Sequence, residues 1–222
     1  MPKGVYERTK SLVGTPKIGL RKVRFGVAEL DNEFAVISES FEHIPLAICW
    51  RNMISRCYNP KSREYSTSHR GCSVDAEWHK FSNFLDWASK FDYSGKMLDK
   101  DIINPGNKIY SKENCTFVSN EANCLLKQTA RKPGMLGAYY YPGSGRYVAV
   151  INVSNKTHNL GRFDTEYEAH SAWRRAKIRN ILTVSDRQAD ERVARSFNIV
   201  AARMLKEDED GIESTYPFLR PL

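Results

Sequence analysis

The sequence predicts an α+β fold. Helices lead into a strand–turn–strand–helix unit, a three-stranded antiparallel sheet packed on a helix follows, and one further helix ends the chain. Three observations predict this. Apolar residues recur at helical spacing around 50–57 and 78–88. Two short apolar runs flank Asn104-Pro105-Gly106-Asn107 just before a helix start. After residue 135 the period shortens to two, with turn signals between the runs.

Residues 1–45 form a basic arm, with Lys3, Arg8, Lys10, Lys17, Arg21, Lys22 and Arg24 among Gly and Pro. Within it, 25–40 alternate weakly, which suits a short hairpin around Asp31-Asn32. A helix is expected from Pro45, where Trp50, Met53, Ile54 and Cys57 share a face, and Asn59-Pro60 ends it. Residues 60–73 are polar and turn-rich. A second helix carries Trp78, Phe81, Phe84, Leu85 and Ala88. Their strict spacing makes these aromatics core rather than a base-stacking platform.

Met97, Leu98, Ile102 and Ile103 suit one strand and Cys115–Val118 a second. Ser119 is the expected N-cap of a helix over about 120–128. A hairpin feeding a helix puts Asp99 opposite the helix's first turns, where it could share one ion with Asn123. Such hard oxygen ligands suit Mg²⁺ (or Mn²⁺), which stabilises charge on a leaving oxygen in phosphodiester cleavage. Gln128–Gly134 reads as a breaker and a domain boundary.

Beyond it, 136–141 and 146–152 read as strands around a Pro142–Gly145 loop, and Ser154-Asn155 turns into a third strand over 156–163. Asp164 or Thr165 caps a helix over about 166–182, with Glu168 completing a capping box. Tyr167, Ala169, Ala172, Trp173, Ala176 and Ile181 are expected against the sheet, with Arg174, Arg175, Lys177 and Arg179 facing water. One sheet face stays uncovered. With Tyr139, Tyr141, Arg146, Lys156, His158 and Arg162 on it, that face suits duplex DNA. A last helix over about 185–206, begun by Asp186 and Asp190, carries Val193, Phe197, Val200, Ala201 and Leu205 as its stripe. The remaining residues, 207–222, turn acidic and then Pro-rich.

The order Leu98-Asp99-Lys100-Asp101-Ile102, Glu113-Asn114-Cys115, Phe117-Val118 and Asn123 resembles the ββα-metal finger of HNH nucleases, in the phage-borne homing-endonuclease branch. Trp50-x-x-Met53-x-x-Arg56-Cys57-Tyr58 and Glu77-Trp78-x-x-Phe81-x-x-Phe84 resemble the helical lead-in of that family. The resemblance implies a nuclease domain over 46–130, with Asp99 and Asn123 as metal ligands and Asn114 pinning the loop. Lys100 stands where that family places its general-base histidine. It is read as a base of depressed pKa, as a phosphate clamp, or as the mark of a different mechanism. Asp101 is the alternative base or second ligand.

Gly137, Tyr147, Ala149, Leu160, Gly161, Phe163 and Ala169 stand in the register of the plant ethylene-response-factor DNA-binding domain, which this stretch resembles over about 136–180. The resemblance implies a DNA-binding domain over 131–183, with 184–222 as a C-terminal helix and tail. Tyr139 and Tyr141 replace that family's base-reading arginines, so no target sequence carries over.

The chain has 222 residues, 41% hydrophobic and 27% charged, with a formal net charge of +8. That balance favours an anionic partner, double-stranded DNA on the reading above. No apolar run approaches the roughly 20 residues of a membrane helix, and no signal peptide is expected, so the expectation is a cytosolic protein. Together with the resemblance, this implies the cytosol of a phage-infected bacterium. Five cysteines without a Cys-x-x-Cys pair argue against a disulfide framework. Some HNH proteins carry Zn²⁺, and Cys57, Cys72 and Cys115 form a set with a weak spacing signal for it. Buried thiols are the favoured reading. His158 and His170 are read as structural or phosphate-contacting, with no carboxylate or Cys partner at ligand spacing.

Overall fold

A computed structural model describes residues 23–24, 28–29, 44–59, 69–126 and 134–215. It is an α+β protein, and no helix among the described residues is long and apolar enough to cross a membrane. The expected boundary at 128–134, the turn at Asp31-Asn32 and the tail beyond 215 fall wholly or mostly outside the described residues. Strands β1 (Val23–Arg24) and β2 (Ala28–Glu29) pair antiparallel, earlier than the hairpin expected around 31–32.

The chain forms two compact units. One comprises residues up to Lys100 together with Asn107–Phe117, the other Asp101–Gly106 together with Val118 onward. The units therefore divide within the strand–turn–strand–helix stretch.

In the first unit, α1 (Ile44–Tyr58) buries Trp50, Met53, Ile54 and Cys57, the face its period selects. The expected second helix is broken in two. A 3-10 turn over Ala76–His79 precedes α2 (Phe81–Ala88), because Lys80 between them is extended. Trp78, Phe81, Phe84 and Ala88 are nevertheless all buried. Trp50 Nε1 donates to the Trp78 carbonyl at 2.7 Å, so the large indole enters the core with its polar atom satisfied. Strand β3 (Ser73–Val74) pairs in parallel with β5 (Ile109–Tyr110). Strand β4 (Met97–Asp99) pairs with β6 (Thr116–Val118). Strand β4 thus ends at Asp99, and Ile102, expected to extend it, lies beyond in bends and turns.

In the second unit, α3 (Asn120–Leu125) starts at Ser119, whose Oγ accepts from Ala122 N–H as an N-cap should. Strands β7 (Ala138–Tyr141), β8 (Arg146–Val153) and β9 (Lys156–Phe163) form an antiparallel sheet in sequence order. Ser154 and Asn155 both adopt positive φ, the conformation a two-residue hairpin needs. Helix α4 (Glu166–Ser185) opens with the full Thr165/Glu168 capping box. Helix α5 (Glu191–Glu209) is capped by Asp190, while Asp186 ends α4 instead of beginning α5.

Helix α5 buries Val193, Phe197, Val200, Ala201 and Met204. Leu205, expected on that stripe, is exposed. These side chains share one core with Trp173, Ala176, Ile178 and Ile181 of α4. Packing by α5 covers a side of α4 that the sequence reading left to water. Arg174 is consequently buried, and Lys177 is buried where it reaches the end of α3, which corrects that expectation, whereas Arg175 and Arg179 are exposed as expected. Among the described residues, the Arg174 guanidinium lies 3.4 Å from the Asp208 carboxylate and over the Tyr167 ring, but makes no hydrogen bond.

Gly137 meets α4 at its closest approach. Its φ is +75°, and a Cβ there would fall 1.9 Å from Trp173 Cγ. Gly137→Ala is therefore expected to destabilise the second unit by roughly 2–5 kcal/mol, combining left-handed strain with overpacking. Chemical denaturation followed by Trp fluorescence measures it, and an unchanged midpoint would contradict the packing described.

Candidate functional site

The loop between β4 and β5 is held by amides. Asn107 Nδ2 donates to the carbonyls of Lys100 at 3.2 Å and Ile109 at 2.7 Å. Its Oδ1 accepts from Ile109 N–H at 2.9 Å, an Asx-type turn that offers the backbone a side-chain partner. Asn114 Nδ2 then reaches both Asn107 Oδ1 and the Ile109 carbonyl, each at 3.2 Å. Asn114 thus braces the loop, as the resemblance implies, but it does so through Asn107. Asn107 falls in the expected turn cluster, and an Asn two residues before a strand also carries the signal for the bracing role that the sequence left unassigned.

Lys100 is buried. Its Nζ donates to the Asn107 carbonyl at 2.9 Å and lies 5.7 Å from the centre of the Tyr110 ring. The ammonium thus completes the same brace, tying the end of β4 to the far side of the loop. Tyr110 is buried as well, and burial pushes its hydroxyl pKa up against the opposing influence of Arg56. Asp99 is half-buried at the end of β4.

These residues, Asp99, Lys100, Asn107 and Asn114, belong to the first unit. Asp101, half-buried, and Asn123, buried on α3, belong to the second. The Asp99–Asn123 pair is therefore not a ligand set within either unit. Among the described residues, no three His, Cys, Asp or Glu side chains converge as a metal site.

Cys57, Cys72 and Cys115 all lie in the first unit's apolar core, and none of the five cysteines forms a disulfide. Burial raises the Cys115 thiol pKa, which opposes the thiolate that zinc requires. Cys49, partly exposed, is pushed up to about 11 by the same cause. A contact the sequence reading missed joins Tyr58 to His79. The Tyr58 hydroxyl lies 3.2 Å from His79 Nε2 and accepts from Val74 N–H at 2.9 Å. It joins side chains 21 positions apart, so no local motif announces it.

On the sheet, strand register sorts the expected DNA-facing residues. Tyr139 pairs with Val148, and Val148 with Arg162, while Tyr141 pairs with Arg146. Partners across an antiparallel ladder share a face. Tyr139, Tyr141, Arg146 and Arg162 thus stand together, and all four are exposed. Between Ala149 and Val150 the register slips, leaving Leu160 as an extra residue on β9. Beyond this bulge His158 pairs with Ile151 and Lys156 with Val153. Ile151 is buried in the core with α4, so Lys156 and His158 lie on the helix side of the sheet, although exposed. Their expected place beside Arg162 is corrected by the bulge, since a one-residue slip inverts every later side chain.

The four remaining side chains are partly tied down. The Arg162 guanidinium lies over the Tyr141 ring, and Arg146 Nε lies 2.8 Å from Asp164 Oδ1. Both contacts hold an exposed cation in place, which lowers the ordering cost of a later contact.

His170 is a structural residue. Fully buried, it places Nδ1 2.8 Å from the Leu136 carbonyl, while Nε2 accepts from Ser214 N–H at 3.1 Å. Those partners require the neutral ring with its proton on Nδ1. Burial holds its pKa below the usual value, nearby Arg174 adds to this, and the Leu136 hydrogen bond opposes it.

Comparison with known proteins returns nothing: no family model matches the chain, nor does any curated protein or solved structure.

The His170 environment predicts an acid sensitivity. A base whose folded pKa is depressed binds fewer protons in the folded state. Its contribution is intact above the unfolded value of about 6.5 and is lost as pH falls from there towards the folded value. The melting temperature of the second unit should therefore drop as pH falls below about 6.5, and His170→Gln should flatten that dependence. An unchanged slope in the variant would show that other groups govern it.

Proposed function

We propose that the chain is a DNA endonuclease of HNH type, with an N-terminal module that cuts or nicks and a C-terminal sheet that selects the site. The observation that carries this reading is the braced loop. Asn114 and Asn107 lock the turn between β4 and β5, which fixes Asp99 at the end of its strand. Preorganisation of this kind is what a cleavage site needs, because misplacement by about 1 Å is costly in rate.

Mg²⁺ or Mn²⁺ fits the chemistry of the donors, since Mg²⁺ binds through one or two carboxylates and keeps its waters for phosphate oxygens. Asp99 would hold it; Asn123, the second ligand that the resemblance implies, belongs to the other unit. The metal would supply charge stabilisation at the leaving oxygen. Zn²⁺ does not fit, because the thiols of its candidate ligands lie in an apolar core. The same reading places the protein in the cytosol of a phage-infected bacterium, with duplex DNA as its partner.

A second reading, a DNA-binding protein that does not cut, has one observation in its favour. Lys100 is buried at the position of the base, and its ammonium is engaged by a backbone carbonyl. If cutting occurs, Lys100 acts by holding the loop, and Asp101 is the candidate for orienting water.

Supercoiled plasmid incubated with Mg²⁺ or Mn²⁺ separates the two readings. Asp99→Ala is expected to abolish relaxed and linear products while gel-shift affinity survives, and equal cleavage by the variant would remove Asp99 from the mechanism. On the sheet, Arg162→Ala is expected to weaken duplex binding by about 1–3 kcal/mol. His158→Ala, on the other face, should change it by less than a third of that. Equal losses at the two positions in a gel-shift titration would refute the face assigned here.

A further inference from the structure

The second unit holds parts of the finger with polar contacts that its apolar packing does not need. Lys177 of α4 is buried, and its Nζ donates to the Leu125 carbonyl at 2.5 Å, at the C-terminal end of α3. Ser196 of α5 is buried too, and its hydroxyl donates to the Ile102 carbonyl. Glu121 of α3 accepts from Ser154 in the β8–β9 turn at 3.2 Å and from Arg187, just past α4, at 3.3 Å. Beneath these contacts Ile102, Val118, Ala122 and Leu125 share the core of α4 and α5.

The segments held in this way, 101–106 and α3, carry Asp101 and Asn123. Burying a lysine is costly, and burial brings Lys177 down to about 8. An apolar side chain would fill the space without that cost but would leave the last carbonyls of α3 without a cation.

We propose that Lys177 and Ser196 are positioning residues: they fix Asp101 and Asn123 to the DNA-reading sheet as one folded body. The spacing between the sheet and these two residues, which orient water and metal on the nuclease reading, is then set by these contacts and not by the connecting residues 127–133. This rests on the nuclease reading above, and it adds a rule for where the cut falls. A sheet domain tethered only by its connecting residues would cut over a range of positions that widens as the connection lengthens. One body cuts at a fixed offset.

The test is an insertion of Gly-Ser-Gly-Ser after Ala130 in the full chain, with cut positions mapped on end-labelled duplex. The expected result is the wild-type cut position. A shift or a spread over several nucleotides would overturn the proposal. The double variant Lys177→Met, Ser196→Ala is expected to keep gel-shift affinity within about twofold while its cleavage rate falls tenfold or more, or its cut positions spread. Lys177→Arg, which keeps a cation at the carbonyl, should restore the wild-type position. Wild-type cutting by the double variant would also overturn the proposal.

If the wild-type protein makes no cut, the nuclease reading fails, and native-state hydrogen exchange still decides the contacts. Amides of 120–126 should keep their protection in the insertion variant and exchange at least tenfold faster in the double variant, with β8 unchanged. Loss of protection on insertion alone would mean that the connecting residues hold α3.

Discussion

Helix α4 is buried on two sides, and the arrangement of the second unit follows from that. The sheet takes one side through Trp173 against Gly137, and α5 takes another through the core of Phe197, Val200 and Ala201. A helix with a single apolar stripe cannot satisfy two partners without burying polar residues as well. Arg174, Lys177 and His170 are those residues, and the charged ones find different solutions. Arg174 pairs with Asp208, whose carboxyl is held below its ordinary value despite burial by hydrogen bonds from Ser171 and Arg175 and by the Arg174 charge. Lys177 turns to a helix end. In both cases the buried cation meets a compensating negative charge or dipole, which is the condition for tolerating it.

The two ends of the finger rely on a common device. In the first unit the ammonium of Lys100 and the amides of Asn107 and Asn114 collect backbone carbonyls that a tight loop leaves without ladder partners. In the second, Lys177 and Ser196 do the same for Leu125 and Ile102. Irregular backbone lined by protein must have its polar groups satisfied, and side chains supply what secondary structure does not. The finger is thus specified less by its short strands, two or three residues each, than by side chains drawn from elsewhere in the sequence.

Much of the fold was legible because local chemistry dictated it. Strands β7 to β9 and both turns between them were marked by period-two patterning and by turn residues, and α4 began at its capping box. Asn114 as a loop brace was also readable. What failed depended on neighbours that no local window contains. Arg174 and Lys177 sit at positions that look solvated until α5 and α3 are packed there. The Leu160 bulge is invisible to a strict alternation, which is why Lys156 and His158 were placed beside Arg162. Lys80 splits the aromatic helix although every apolar residue around it keeps helical spacing. The candidate ligands Asp99 and Asn123 could be named from their order along the chain, but their membership in different compact units could not.

The division of the finger also bears on how the chain is made. Ile102 emerges during synthesis long before Ser196, its partner 94 positions later. Asn107–Phe117 belongs with residues already made, whereas 101–106 must wait for both C-terminal helices. N-terminal regions fold first on the ribosome, and contacts of long sequence separation form late. The nascent first unit would therefore carry an unfinished six-residue loop, its carbonyls solvated by water, until translation is nearly complete. A truncated product lacking α5 would never close that loop.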